Sequence, residues 1–148
     1  MKKTSVLIVE DEVIIAKDLA QTLTKLGYTV AGHCTRGEDA VGMVEDKNPD
    51  IILMDIMLKG EMTGIDAAKE IRKKFEVPVV YLTAYSDEDS LNRANASAPS
   101  GYLVKPFKAN DLRATIETAL YRFREEQRLR RENQMLYELV QRWKGTDC

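Results

Sequence analysis

Four apolar segments of this chain each end on a charged or hydroxyl side chain that could take part in chemistry. The segments and the residues that follow them are 6–9 with Glu10, Asp11 and Glu12, 51–54 with Asp55, 79–82 with Thr83, and 102–104 with Lys105. Apolar runs this short, bounded by turn signals, are typical of strands buried on both faces in a parallel sheet. Because the carboxyl ends of parallel strands meet at the edge where open α/β sheets bind ligands, we expect these side chains to share one crevice.

Three carboxylates in one crevice repel one another, and this cost indicates which chemistry the crevice serves. At ~5 Å, each pair among Glu10, Asp11 and Asp55 costs roughly 3 kcal/mol at an effective dielectric constant of about 20. A hard divalent cation, Mg²⁺ or Mn²⁺, relieves the repulsion and keeps coordination positions open for phosphoryl transfer. An aspartate is a competent phosphoryl nucleophile, while the Thr83 hydroxyl and the Lys105 ammonium can meet phosphoryl oxygens. The sequence has neither a Gly-x-Gly-x-x-Gly motif after the first segment nor a Gly-Lys-Ser/Thr phosphate loop.

Helical patterns alternate with the apolar segments along the chain. We predict strands at about 5–10, 28–34, 50–55, 79–83 and 101–104, and helices at about 12–26, 37–47, 64–75 and 87–96. A last helix is predicted to begin near Ala109, with Asn110 as its N-cap, and Gly27 is placed to end the first helix. Five successive βα units predict an α/β fold, a flavodoxin-like, doubly wound, five-stranded parallel sheet with an extended C-terminal helix.

Length and composition exclude several classes of protein. The 148 residues suit one domain with an appendage, and a net charge of −2 gives no general attraction to nucleic acids. No apolar run approaches the ~20 residues that span a bilayer, and the run after Lys2-Lys3 is too short for a secretory signal. Cys34 and Cys148 lack metal-ligand spacing, so we expect free thiols in a cytoplasmic protein, with Cys34 in the core.

Four motifs, taken in this order, are shared with a known family. They are Val-Glu-Asp-Glu (9–12), Leu-Met-Asp-Ile (53–56), Leu-Thr-Ala (82–84) and Gly-Tyr-Leu-Val-Lys-Pro-Phe (101–107). With them the chain resembles the receiver domains of two-component response regulators, the CheY-like superfamily, over residues 5 to about 121. The resemblance implies a phosphoprotein of phosphorelay signal transduction rather than a conventional enzyme. Such a protein contributes to its own phosphotransfer and dephosphorylates itself slowly.

The same resemblance implies the metal ligands and the phosphoryl acceptor. Asp55 is the implied acceptor, taking its phosphoryl group from a sensor histidine kinase or a phosphotransfer protein. Asp11 and Asp55 are implied direct Mg²⁺ ligands together with the backbone carbonyl of Met57, and Glu10 is implied to act through water.

The resemblance also implies how the phosphoryl group is sensed. Lys105 pairs with that group, and the Lys105-Pro106 bond is the implied cis peptide. Thr83 and Tyr102 form the implied switch, in which the hydroxyl moves to a phosphoryl oxygen and the ring turns inward. The added charge then repacks the face formed by the fourth helix, fifth strand and fifth helix.

The loop after Asp55 departs from the family pattern. It has no Met-Pro pair and holds one residue more before Gly64. Met57 and Tyr85 stand two positions after Asp55 and Thr83, where their bulk hinders the water that hydrolyses an acyl phosphate. We therefore expect a phosphorylated state that lasts longer than in receivers with small polar residues there.

The last helix is predicted to outrun the domain. No Pro or Gly occurs from Asn110 to about Trp143, a helix of ~50 Å, whereas a globule of residues 1–121 is about 35 Å across. We predict a receiver domain at 1–121 and a helical extension at 122–148. A short heptad pattern with one Asn at an a position favours a parallel homodimer through a coiled coil. Its seam residues are Leu129, Asn133, Leu136, Val140 and Trp143.

Other interpretations stay open. The extension could instead be a linker or a frayed or folded-back helix, and the chain a receiver fragment of a larger regulator whose output domain is a sensor/kinase or binds nucleic acid. An aspartyl-phosphate phosphatase needs Asp-x-Asp, and Met57 stands at its second position. Residues 128–131 are basic but lie among glutamates, which favours a solvated helix face over direct nucleic-acid binding. His33 beside Cys34 has no third ligand nearby, so we interpret it as structural.

Overall fold

The computed structural model describes residues 2–84, 92–95 and 99–145, and its centre is one five-stranded sheet. The strand order is β2-β1-β3-β4-β5, and every neighbouring pair is parallel. The bounds are β1 Ser5–Val9, β2 Thr29–Cys34, β3 Ile51–Asp55, β4 Val79–Thr83 and β5 Gly101–Val104. Since the order reverses between β1 and β3, the binding crevice of such a sheet lies at the carboxyl ends of these two strands.

Helices cover both faces of the sheet. Their bounds are α1 Val13–Lys25, α2 Gly37–Lys47, α3 Gly64–Lys74 and α5 Ala109–Gly145. Residues 92–95 are the described part of α4, so most of the helix predicted at 87–96 lies outside the described residues. α1 and α5 pack on one face, and α2 and α3 pack on the other. The predicted α/β fold with its long C-terminal helix is confirmed.

Strands β1, β3 and β4 are buried on both faces, as their continuous apolar runs predict. In β1, Leu7 packs in the cluster beneath α2 and α3, while its neighbour Ile8 packs in the cluster beneath α1 and α5. Ile52 and Leu53 of β3 divide between the two clusters in the same way. Because successive strand side chains point to opposite faces, a strand with helices on both sides needs apolar residues at every position.

The helix ends confirm one expectation and correct another. Gly27 follows α1 with φ +95°, the left-handed conformation that the helix end requires. The prediction that Asn110 caps the last helix is wrong, because α5 already begins at Ala109. The Asp111 side chain accepts from the backbone N–H of Lys108 at 3.2 Å, so the acid in the first turn stabilises the helix start.

The two halves of α5 have different environments. Four side chains of its first half are buried against the sheet, namely Leu112, Ile116, Ala119 and Leu120. From residue 128 to 145 every position is exposed. The helix has 37 residues and is about 55 Å long at 1.5 Å per residue, so its second half projects beyond the globule. Among the described residues, no helix is both long enough and apolar enough to cross a membrane.

Candidate functional site

Three carboxylates meet at the carboxyl ends of β1 and β3. One carboxylate oxygen from each of Glu10, Asp11 and Asp55 lies within 4.8 Å of the others. Glu10 is fully buried and Asp55 is 5% exposed, whereas Asp11 is half-buried. Glu12, at the N-cap position of α1, makes no side-chain cap hydrogen bond.

Lys105, at the end of β5, supplies the positive charge of the cluster. Its Nζ lies 2.6 Å from Glu10 Oε1 and 3.3 Å from Asp55 Oδ2. Charge-assisted hydrogen bonds of this kind are among the strongest in proteins when they are shielded from water. Thr83 ends β4 at the same sheet edge and is 9% exposed, and the peptide bond between Lys105 and Pro106 is cis. The sheet thus brings together the side chains that the sequence places at four separate strand ends.

The electrostatics of the cluster favour a cation. Burial, reinforced by the neighbouring Asp55, raises the pKa of Glu10 to about 8 even though Lys105 opposes the shift. Burial by itself lowers the pKa of Lys105, but its contacts with Glu10 and Asp55 outweigh that effect and the net shift is upward. At neutral pH the lysine is therefore charged, while Glu10 holds a proton for much of the time. A divalent cation at the three carboxylates would replace that proton.

The donor set fits Mg²⁺. The ion takes hard oxygen ligands and keeps several of its waters, so three clustered carboxylates, one of them half-exposed, suit it. The loop after β3 supports two of these acids from the backbone. Met57 N–H donates to Asp55 Oδ1 at 3.0 Å, and Lys59 N–H donates to Asp11 Oδ2 at 3.1 Å. These backbone hydrogen bonds therefore orient both carboxylates before a cation binds.

Because Gly64 has no side chain, α3 can begin in close contact with the backbone of Asp55. A Cβ at Gly64 would lie 2.0 Å from the carbonyl oxygen of Asp55, and the Gly64 N–H donates to the carbonyl of Ile56 at 3.2 Å. Thr63 caps this helix through a reciprocal pair of hydrogen bonds with Asp66. The glycine predicted at the end of the loop is thus required by a backbone contact with the acceptor strand.

Tyr102 lies on β5, next to the described part of α4. Its hydroxyl donates to Asn95 Oδ1, and its ring centroid is 6.1 Å from that of the fully buried Tyr81. The ring is half-buried, so the side chain occupies a place between core and surface. Tyr85, the second bulky residue that the sequence places near the site, lies outside the described residues.

His33 supports the site in a way that the sequence did not indicate. Its Nε2 donates to the backbone carbonyl of Glu10 at 2.9 Å, across the β1–β2 pair. The neighbouring Cys34 is buried, and burial raises the pKa of its thiol to about 11. Both observations agree with a structural role for the His-Cys pair. Only the register of β1 and β2, which no local motif encodes, could have revealed the His33 contact.

Comparison with known proteins decides the family. Residues 6–117 match the response regulator receiver domain. The chain belongs to this family. Receiver domains of response regulators work in two-component systems with histidine kinases or phosphotransfer proteins, and they are not conventional enzymes. They bind Mg²⁺ through acidic residues, and Glu10, Asp11 and Asp55 form such a cluster here.

Two curated relatives and one solved structure illustrate the likeness of this receiver. Transcriptional regulatory protein PdtaR of Mycobacterium tuberculosis is 43% identical over 146 residues, covering 95% of this chain and 71% of PdtaR. Phyllosphere-induced regulator PhyR of Methylorubrum extorquens is 37% identical over 119 residues, 80% of this chain and 44% of PhyR. The signal receiver domain of a modulated diguanylate cyclase from Desulfovibrio desulfuricans G20 superposes with a TM-score of 0.80 at 38% identity, covering 84% of this chain and 99% of that one.

Proposed function

We propose that Asp55 accepts a phosphoryl group from a phosphohistidine of a partner kinase or phosphotransfer protein, in a reaction that depends on Mg²⁺. The observation that carries this proposal is the position of Asp55. Its carboxylate belongs to the three-acid cluster and also lies 3.3 Å from Lys105 Nζ. A nucleophile thus lies between a cation-binding set and a fixed ammonium, as transfer of a charged phosphoryl group requires.

In this step a carboxylate oxygen of Asp55 bonds to phosphorus while the phosphorus–nitrogen bond of the phosphohistidine breaks. The electron pair of that bond stays with the imidazole, which then takes a proton. Bound Mg²⁺, held by Asp11, Asp55 and the Met57 carbonyl, would supply positive charge to the phosphoryl oxygens. Lys105 compensates the negative charge that arrives on Asp55, since its Nζ is already within 3.3 Å.

We further propose that Thr83 and Tyr102 report the phosphoryl group to the α4–β5–α5 face. Thr83 ends β4, the strand that pairs with β3, at the same sheet edge as Asp55, and its hydroxyl would bond a phosphoryl oxygen. The half-buried Tyr102 ring lies next to Tyr81 and holds α4 through Asn95, so its inward turn would release that contact. The charge added at Asp55 is about −1.5 to −2 at neutral pH, enough to shift such a two-state contact.

The C-terminal part of the chain would carry the output. We propose a receiver at 1–121 and a helical extension at 122–148 that forms a short parallel coiled coil with a second copy of the chain. Along the predicted seam, Leu129 is 50%, Leu136 is 60% and Trp143 is 71% exposed. A linker to an output domain is the alternative, and both roles can hold together. A monomeric mass for 1–148 in light scattering, with and without a phosphoryl mimic, would rule out the dimer.

The experiment that tests the acceptor uses a small-molecule phosphodonor with Mg²⁺ and intact-mass spectrometry. We expect the wild type to gain roughly 80 Da, the mass of one phosphoryl group, and Asp55→Asn to gain nothing. Asp50→Asn is the matched control, because Asp50 precedes the same strand at its other end, where it accepts from Ser5. An adduct on Asp55→Asn equal to that on the wild type would overturn the proposal. So would the absence of any adduct on the wild type.

A further inference from the structure

The loop between β3 and α3, residues 56–63, is held from two sides by carboxylates. On the side of the site, Lys59 N–H donates to Asp11 Oδ2 at 3.1 Å. On the side of α2, Met62 N–H donates to Glu38 Oε1 at 2.8 Å. The two anchored amides are three positions apart, so the two carboxylates hold the ends of a short span.

Glu38 lies in the first turn of α2 and is built into the fold rather than free on the surface. Its side chain is 31% exposed, and its Oε2 is buried with Arg36 Nε at 3.0 Å as its ionic partner. Gly60 turns the loop past this carboxylate with φ +116°, and a Cβ there would lie 3.7 Å from Glu38 Oε2. A negative charge at a helix N-terminus is favourable, so the first turn of α2 is a suitable place for an acidic acceptor of the loop amide.

We propose that Glu38 is a positioning residue for the metal site. It fixes Met62 and thereby the preceding loop, so that the Lys59 N–H orients Asp11 and the Met57 backbone stays beside Asp55. The proposal rests on the proposed function, in which Asp11 and the Met57 carbonyl hold Mg²⁺. It assigns a role in cation binding to a residue that is not itself a ligand.

The expected size of the effect follows from how outer-shell partners act elsewhere. Removing a group that orients a metal ligand typically costs 10–100-fold in affinity. Glu38 acts through the loop rather than on a ligand directly, so we expect the lower end, about tenfold, for Glu38→Ala. Glu38→Gln keeps a carbonyl oxygen that can accept from Met62 N–H and should bind Mg²⁺ more tightly than Glu38→Ala.

The test is isothermal titration of the full chain with Mg²⁺ for the wild type, Glu38→Ala, Glu38→Gln and Asp39→Ala. Asp39 is the matched control, because it carries the same charge in the same first turn of α2 and no described hydrogen bond links its side chain to the loop. We expect Asp39→Ala to bind like the wild type. Wild-type affinity in Glu38→Ala would overturn the proposal. An equal loss of Mg²⁺ affinity in Asp39→Ala would also overturn the proposal, because any negative charge in the first turn of α2 would then explain the effect.

Amide hydrogen exchange provides a second readout, measured first on the metal-free wild type and then on Glu38→Ala. The Lys59 and Met62 amides should be protected, and the Met62 amide should lose protection in Glu38→Ala. Exchange of both wild-type amides at the rate of an unstructured loop would contradict the two hydrogen bonds on which the proposal rests. A wild type that binds no Mg²⁺ while these amides are protected would instead overturn the proposed function, and the hydrogen bonds from the loop to Asp11 and Glu38 would still stand.

Discussion

The carboxyl edge of the sheet and the second half of α5 break the ordinary pattern of burial in opposite ways. At the edge, Glu10 and Asp55 are charged residue types that the fold buries. In the extension, Leu136 and Trp143 are apolar residue types that the fold exposes. Each departure costs free energy in the isolated chain. In the proposed function, a cation and a phosphoryl group would offset the cost at the edge, and a second helix would offset it in the extension. The two regions differ in how well their side chains are held. Hydrogen bonds and ion pairs from several strands hold the edge, whereas every position from residue 128 to 145 is exposed.

The largest expected difference is in the stability cost of truncating an apolar side chain in the first or the second half of α5. Ile116 is fully buried, so Ile116→Ala should cost about 2–5 kcal/mol of unfolding free energy, whereas Leu136→Ala should change it by less than about 0.5 kcal/mol in dilute protein. Leu136→Ala should instead weaken self-association. Urea denaturation at two protein concentrations measures both effects. A large, concentration-independent cost for Leu136→Ala would show that the extension packs on its own domain.

Replacing a glycine by alanine should also affect the stability of the two regions differently. Gly64→Ala places a methyl group 2.0 Å from the Asp55 carbonyl oxygen, and we expect a loss of about 1–3 kcal/mol together with slower phosphorylation. Gly145 is the last residue of α5, and a Cβ there would meet no atom within 4 Å apart from its neighbours in the helix, so Gly145→Ala should change stability by less than about 0.5 kcal/mol. Thermal melts and phosphodonor kinetics test the pair. A neutral Gly64→Ala would mean that α3 can move away from the acceptor strand at little cost.

Mg²⁺ binding at the sheet edge should depend on pH, whereas self-association through the extension should not. The pKa of Glu10 is raised to about 8, so its proton competes with Mg²⁺, and affinity should rise about tenfold per pH unit up to about pH 8. Without metal, the folded chain binds the Glu10 proton more tightly than the unfolded chain does. The stability from Glu10 is therefore present at low pH and lost as pH rises through about 8. Isothermal titration between pH 6.5 and 8.5 measures the affinity.

Glu10→Gln is the control for this titration, because it should remove most of the pH dependence of Mg²⁺ binding. Self-association through the extension should stay constant over the same range, since its seam residues, Leu129, Asn133, Leu136, Val140 and Trp143, carry no titratable side chain. Mg²⁺ affinity that is independent of pH in the wild type would show that Glu10 is already ionised in the folded protein.

The smallest effect concerns the lifetime of the acyl phosphate. Met57 is 63% exposed and its N–H bonds Asp55 Oδ1, so we expect its side chain to hinder a water molecule that approaches the acyl phosphate. Met57→Asn should shorten the lifetime of the phosphorylated state several-fold, because a small polar side chain can orient that water. Decay of the phosphorylated species, followed by intact mass, provides the rate. A rapid wild-type decay that Met57→Asn leaves unchanged would contradict this expectation.

The sequence predicted the fold and the clustering of Glu10, Asp11, Asp55 and Lys105 because both follow from local sequence patterns. A strand buried on both faces needs an unbroken apolar run, and a residue directly after such a run must lie at the sheet edge. The contacts of His33, Glu38 and Gly64 could not be predicted, since each joins segments whose spacing depends on strand register and loop path. Asn110 was wrongly predicted as a cap because propensity favours Asn over Lys108, while the bond from Lys108 N–H to Asp111 decides where α5 begins.

The most direct test of the account is to locate the phosphoryl group after reaction of the full chain with a phosphodonor. Borohydride reduction followed by peptide mapping, with Mg²⁺ and with a chelator, identifies which carboxylate formed the acyl phosphate. We predict that only Asp55 is reduced, and only in the sample that contains Mg²⁺. Modification of Glu10 or Asp11 in place of Asp55, or equal modification of Asp55 without the metal, would contradict the account.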